Sequence, residues 1–244
     1  MTSLGKRRVT EIIGRTVNEL GDIAPRIDQT LLSPTATESD VTSFIERSDP
    51  YGFRCLVVPP LFVKIAKSIS RTRICTVAGF PNGYSATDAK IAEIRFAAEQ
   101  GADEVDAVLA IPMLRMGRWD YVKREAEALV NEAHSLGMKI KLIIEAGVLS
   151  PEQVRRATAI VAESGADFVK SSTGFVGRGV DPYDIVIMDS VRRATRRDLG
   201  IKAAGGVRTA VKAVLLILLG ADVIGSSTGI EIAKQFKQLR RGSA

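Results

Sequence analysis

Only two cysteines, Cys55 and Cys75, and a single histidine, His134, occur in the 244 residues. Two thiols cannot form a secreted disulfide framework. Both fall in apolar, strand-like segments, so the expectation is a pair of buried free thiols in a reducing compartment. His134 lies near the end of a helical stretch just before Gly137. It suits a surface position complementing a helix C-terminus, and its isolation leaves no material for a Ser-His-Asp site built on another histidine or for a zinc site that needs several. No run of about 18 apolar residues occurs, and the opening from Met1 to Arg8 lacks the apolar stretch of a secretion signal, so a cytoplasmic chain with no membrane partner is expected. Aromatic residues make up only 5% of the chain. None interleaves the densest basic cluster, Arg192, Arg193, Arg196 and Arg197, which excludes a base-stacking platform, argues against a nucleic-acid partner and predicts a solvated helix face.

What is present is a chain 45% hydrophobic with a net charge of +6. That is enough for one domain spanning residues 1–244 around a sizeable core, and its positive field suits a small phosphorylated substrate. Apolar residues at Val9, Ile12, Ile13, Val17 and Leu20 have helical spacing and predict an N-terminal capping helix within residues 1–22. Strand-like runs then alternate with helical ones. The strands are expected at Ile27 to Leu32, Phe53 to Val58, Arg73 to Phe80, Glu104 to Leu109, Lys139 to Ile144, Phe168 to Lys170, Gly200 to Ala204 and Val223 to Gly225. Thr37 followed by Asp40 marks a helix start, and Pro151 opens another. The last helix is expected to stop near Leu239 and to leave 240–244 as a loose tail. Gly-Ala-Asp occurs three times, at 101–103, 165–167 and 220–222, each after a helix and before a strand, where glycine supplies the helix stop. Eight strands alternating with helices in a length near 250 residues predict an α/β fold, a (β/α)8 TIM barrel with an extra N-terminal helix. A doubly wound open sheet would leave polar edge strands, and none is conspicuous.

In such a barrel, function collects at the carboxyl ends of the strands. Phe168-Val169-Lys170-Ser171-Ser172-Thr173-Gly174 ends an apolar strand on a lysine, where desolvation disfavours the ammonium. A second lysine, Lys202, ends the next strand before Gly205-Gly206, and two such amines repel each other's charge, which lets one be neutral near pH 7. Strand alternation lets Asp106, Lys141, Lys170 and Lys202 converge in the interior mouth. A salt-bridge layer serving fold specificity alone is the alternative. The turns Gly205-Gly206-Val207-Arg208 and Gly225-Ser226-Ser227-Thr228-Gly229 place free amides and hydroxyls at two helix N-termini, the usual phosphate seat of this fold. A phosphate anchor beside a desolvated lysine suggests Schiff-base chemistry on a phosphorylated carbonyl compound.

These motifs, with Ile27 to Leu32, Gly101 to Asp106 and Lys141-Leu142-Ile143-Ile144-Glu145, resemble the deoxyribose-phosphate aldolase family over nearly the whole chain. The resemblance implies reversible cleavage of 2-deoxy-D-ribose 5-phosphate to D-glyceraldehyde 3-phosphate and acetaldehyde by a class I aldolase with no metal or other cofactor. It implies Lys170 as the Schiff-base residue, Lys202 as the neighbour that lowers its pKa, and Asp106 as the proton-transfer carboxylate. Asp28 and Lys141 are implied to support the mouth. Thr30, Ser172, Thr173, Gly174, Gly205, Gly206, Val207, Arg208, Gly225, Ser226 and Ser227 are implied to meet the substrate. A homodimer is also expected. Gln29, Ser33 and Val57 depart from the histidine, lysine and cysteine of many relatives, and the C-terminal tail carries no tyrosine. Two other readings remain open, a phosphate-binding barrel isomerase or lyase with Asp106 as base, and a non-catalytic phospho-sugar sensor.

Overall fold

Each apolar run needs both faces covered, and helices between successive parallel strands provide that cover. The structure, a computed structural model, describes Ile12, residues 14–196 and residues 198–242. Eight parallel strands close in sequence order: β1 (Ile27–Thr30), β2 (Cys55–Val57), β3 (Ile74–Ala78), β4 (Glu104–Val108), β5 (Lys139–Ile143), β6 (Phe168–Lys170), β7 (Gly200–Ala204) and β8 (Val223–Ser226). Closure runs through β1 and β8, with Asp28 opposite Gly225. This is the predicted (β/α)8 barrel. Its strands are shorter than the sequence runs because residues such as Leu31, Val58 and Leu109 leave the ladder while still donating a backbone hydrogen bond to a neighbouring strand residue.

Strand alternation separates two interiors. Ile27, Leu56, Ile74, Val105, Ile140, Leu142, Val169, Ile201 and Ile224 face the surrounding helices in the main core. Cys55, Val57, Cys75 and Val77 form a small cluster of their own inside the barrel. Cys55 and Cys75 are joined there in a disulfide, which corrects the expectation of free thiols. Both side chains point inward from adjacent strands, and their Cα atoms are 6.1 Å apart, within bonding reach. Compartment and spacing along the chain carry no information about that proximity.

The three Gly-Ala-Asp joints share one geometry. Gly101, Gly165 and Gly220 have φ of 91°, 84° and 114°. In each case the aspartate carboxylate accepts a backbone N–H from the first two residues of the preceding strand: Asp103 from Ile74, Asp167 from Ile140 and Asp222 from Ile201. A basic side chain covers each acid, Lys67 on Asp103, His134 on Asp167 and Arg192 on Asp222. The joint therefore sets strand register at the face of the barrel opposite the mouth. Arg192 also pairs with Asp189, Arg193 with Asp189 and Arg196 with Asp198. The basic cluster is thus a set of ion pairs rather than a freely solvated face; Arg197 lies outside the described residues.

Thr37 and Asp40 form the predicted capping box at the start of the helix Glu38–Ser48. Ser150 and Gln153 form another above Pro151. The N-terminal segment is helical at Ile12 and from Gly14 to Leu20, whereas Val9 and Ile13 lie outside the described residues. The last helix runs Gly229–Gly242, past the predicted stop, and the Arg240 guanidinium donates to the Gly21 carbonyl to tie down its final turns. Ser243 and Ala244 lie outside the described residues. No described helix is long and apolar enough to cross a membrane.

Candidate active site

Charged side chains at inward positions of β1, β4, β5, β6 and β7 must meet along the barrel axis, because every second residue of each strand points there. They form one connected cluster. Asp106 Oδ1 accepts from Lys141 Nζ at 2.8 Å, and Asp106 Oδ2 accepts from both Lys170 Nζ at 2.8 Å and Lys202 Nζ at 2.7 Å. Lys202 also reaches Asp28 Oδ2 at 2.7 Å. The register that places Lys170 beside Lys202 on adjoining strands, and Asp106 beside Lys141, makes these contacts obligatory.

Two members of the cluster were not singled out for the site from the sequence. Arg54, just before β2, bridges Asp28 and Glu104 at 2.8 Å each, and Glu104 accepts from Lys141 at 2.6 Å. The Phe168 ring lies under both cations, 5.0 Å from Arg54 Cζ and 5.8 Å from Lys141 Nζ. The alternation that makes Glu104 share a face with Asp106 was a usable signal. Arg54 had none, since it precedes its strand.

Charge balance singles out one amine. Inside the barrel the cations Arg54, Lys141, Lys170 and Lys202 share the carboxylates Asp28, Glu104 and Asp106. Four cations against three anions leave one positive charge without a counter-charge, and Lys170 has only the Asp106 oxygen that it shares with Lys202. Burial above all, and then the Lys202 and Lys141 charges, lower the Lys170 pKa to about 8 against the pull of Asp106. Lys141 is held the other way: burial opposes its charge, but Asp106, Asp28 and Glu104 together raise its pKa. Asp106 is likewise penalised by burial, yet Lys141, Lys170 and Lys202 hold its carboxyl well below the usual carboxylate range. Asp28 is lowered by Lys202, Lys141 and Arg54 against the same penalty.

Above the cluster opens a cavity of about 450 Å³. Lys170 is at its floor, and Thr30, Thr173, Gly174, Gly205, Gly206, Val207, Arg208, Gly225, Ser226 and Ser227 line it, as expected of substrate-facing residues. Asp28, Lys141 and Ser172 do not line it. All three are fully buried, and Lys141, level with Phe168, sits one inward position lower on the barrel than Lys170. Gly225 is required by a close approach: a Cβ there would stand 3.0 Å from Lys202 Cε and 2.9 Å from the Ala204 Cβ. The wall beside Lys170 is aromatic, with the Phe80 ring 5.9 Å from Lys170 Nζ and Phe175 packed edge-on against Phe80.

The two glycine-rich turns at 205–208 and 225–229 are stabilised internally. Ser226 Oγ donates to the Val207 carbonyl at 2.7 Å and accepts from the Thr228 N–H at 3.0 Å. Gln29 Oε1 accepts the Gly229 N–H at 2.7 Å and so caps the last helix from β1. Ser171 Oγ donates to the Ala204 carbonyl and accepts the Ala204 N–H, locking β6 to β7 at the level of both lysines. Among the described residues one group could present metal ligands, Cys55, Cys75 and Glu104. Its sulfurs are bonded to each other and its carboxylate is held by Arg54 and Lys141.

The family profile described as DeoC/LacD family aldolase matches residues 23–235. The chain is 41% identical over 218 residues to the deoxyribose-phosphate aldolase of Thermococcus gammatolerans, covering 87% of this chain and 96% of that one. It is 40% identical over 223 residues to that of Thermoanaerobacter sp. (strain X514), covering 90% and 99%. Among solved structures, the tetrameric deoxyribose phosphate aldolase from Aeropyrum pernix superposes with a TM-score of 0.84 at 33% identity, covering 98% of this chain and 100% of that one.

Proposed function

The chain belongs to the DeoC/LacD aldolase family, and on that premise we propose that it is a deoxyribose-phosphate aldolase working through a Schiff base on Lys170. One observation carries the reading: Lys170 is a nearly buried amine, its pKa lowered to about 8, on the floor of a cavity whose other end is built from amide-rich and hydroxyl-rich turns. A neutral amine is a nucleophile, and those turns suit a phosphate.

The chemistry follows from these positions. With the 5-phosphate on the turns at 205–208 and 225–227, the C1 aldehyde of open-chain 2-deoxyribose 5-phosphate reaches Lys170. The Nζ lone pair adds to C1, and loss of water leaves a protonated imine. The C3 hydroxyl then gives up its proton as the C2–C3 bond breaks, and the bonding pair moves into the iminium to form an enamine. Glyceraldehyde 3-phosphate departs. A proton returns to C2, and water hydrolyses the iminium to acetaldehyde and free Lys170. Asp106 stays ionised and offers Oδ2 to both Lys170 and Lys202, so a proton has a short path between the two amines and, through a water, to the substrate. The Lys202 charge beside Lys170 favours the neutral form of its neighbour.

Incubation with deoxyribose 5-phosphate and borohydride tests this. The expected result is a stable adduct on Lys170 together with cleavage to the two aldehydes. Turnover without an adduct would favour proton-transfer chemistry on Asp106, and binding without turnover a sensor.

A further inference from the structure

Glu145 follows β5 and has φ of 50°, the only left-handed backbone at a residue other than glycine among the described residues. Such a conformation persists only where its surroundings enforce it, and residues of this kind gather at functional sites. Here the enforcement comes from the strand of Lys170. The N–H of Ile144 donates to the Lys170 carbonyl at 3.1 Å, and the N–H of Ala146 donates to the Ser171 carbonyl at 2.7 Å. Glu145, held between these two bonds, turns its side chain beneath the 171–174 turn, where Oε2 accepts the Thr173 N–H at 3.0 Å.

The other oxygen is unusual. Glu145 Oε1 and Ser172 Oγ are both buried, and neither has a hydrogen-bond partner, although the Ser172 hydroxyl is near enough to act on the carboxyl. Asp28 and Asp106 each have ammonium groups within 2.8 Å, whereas no cation lies within ion-pair distance of Glu145 among the described residues. A buried carboxyl without a cation favours its protonated form, and burial does push Glu145 up, against the Thr173 N–H, the nearby Ser172 hydroxyl and the Lys170 charge. A bond between Oε1 and the Ser172 hydroxyl would satisfy both orphaned atoms, and a protonated Oε1 can be its donor. The charge state bears on the neighbour as well, because an anion here would favour the ammonium form of Lys170.

We propose that Glu145 is a positioning residue for the amine chemistry assigned above, holding the 171–174 turn from below as a neutral acid, so that Lys170 stays aimed into the cavity without a second counter-charge. The inference rests on Lys170 being the Schiff-base residue.

Trapping with acetaldehyde and cyanoborohydride reads it directly, since this small donor needs no phosphate seat. The N-ethyl adduct on Lys170 is timed by mass spectrometry, alongside kcat and KM for cleavage and the unfolding temperature. Glu145→Gln, neutral and of equal length, should trap within about threefold of the parent protein, while Glu145→Ala and Glu145→Asp, which cannot span to Thr173, should trap at least about tenfold more slowly, with kcat falling further than KM rises. A purely structural role would lower the unfolding temperature and leave the trapping rate of folded protein unchanged, and that result would overturn the proposal. Glu145→Gln as slow as Glu145→Ala would overturn the neutral-acid form of it. If Glu145→Ala does not fold, Glu145→Asp decides by the same criterion. Absence of any Lys170 adduct in the parent protein would remove the Schiff-base reading and this inference with it, a result distinct from parent-like trapping in the variants.

Discussion

Lysines are buried in two separate regions of this molecule. Lys90, on the helix Thr87–Glu99, donates to Glu125 Oε1 at 2.7 Å and to the Gly83 carbonyl at 2.8 Å, with both side chains of the ion pair fully buried. Glu125 in turn accepts the Ala110 N–H at 2.7 Å, so the pair ties two helices to the loops after β3 and β4. Burial lowers the pKa of Lys90 as it does that of Lys170, with Glu125 opposing. Desolvation alone therefore does not make a catalytic amine. Lys90 has a carboxylate to itself and is sealed between helices. Lys170 shares one oxygen of Asp106 with Lys202, among more cations than anions, and opens onto a cavity.

Substitutions can break this contrast. Lys170→Ala should lower cleavage by more than about 10⁴-fold with circular dichroism and unfolding temperature nearly unchanged, because it removes the nucleophile itself. Retained cleavage would end the comparison outright. Asp106→Asn should lower kcat by about 10²–10⁴-fold and also destabilise the fold, since three amines then surround a neutral amide. Denaturant titration and steady-state rates on one preparation separate the two effects.

Lys90→Met should behave in the opposite sense. Stranding Glu125 should cost about 3–5 kcal/mol in denaturant unfolding, while the folded enzyme keeps its kcat, and Lys90→Met with Glu125→Leu should recover most of the loss. A fall in kcat comparable to that of Asp106→Asn would show that the two lysine sites are not independent.

The pH profile sharpens the contrast further. The proposed attack needs a neutral Lys170, and its pKa is lowered to about 8, so kcat/KM should rise with pH toward about 8 and then level. Lys202→Met removes a charge that lowers that pKa, and should move the rising limb to higher pH. The smallest expected effect is at Gln29, where Gln29→Ala uncaps the helix Gly229–Gly242. This should raise KM for the phosphorylated substrate about fivefold, roughly the value of one helix cap, with kcat unchanged.

Much of this was legible in the chain itself. Eight apolar runs separated by helical spacing and glycine stops determine the barrel, because parallel strands buried on both faces admit few other closures. Strand alternation then dictates that Glu104, Asp106, Lys141, Lys170 and Lys202 face the axis, and the paired glycine turns after β7 and β8 are the segments proposed to seat a phosphate. What tertiary structure alone decided is depth and company. Lys141 and Asp28 belong to the buried layer beneath the mouth rather than to the mouth itself, Arg54 enters from outside its strand to bridge Asp28 and Glu104, and Cys55 meets Cys75 across two strands. The repeated Gly-Ala-Asp reads as a joint, yet the role of its aspartate in binding an N–H near the start of the preceding strand is visible only in space. The physical reason is the same in each case. Periodicity along a strand determines which face a side chain takes, whereas barrel stagger and long side-chain reach determine which partner it finds, and those contacts join residues as far apart in the chain as Asp28 and Lys202.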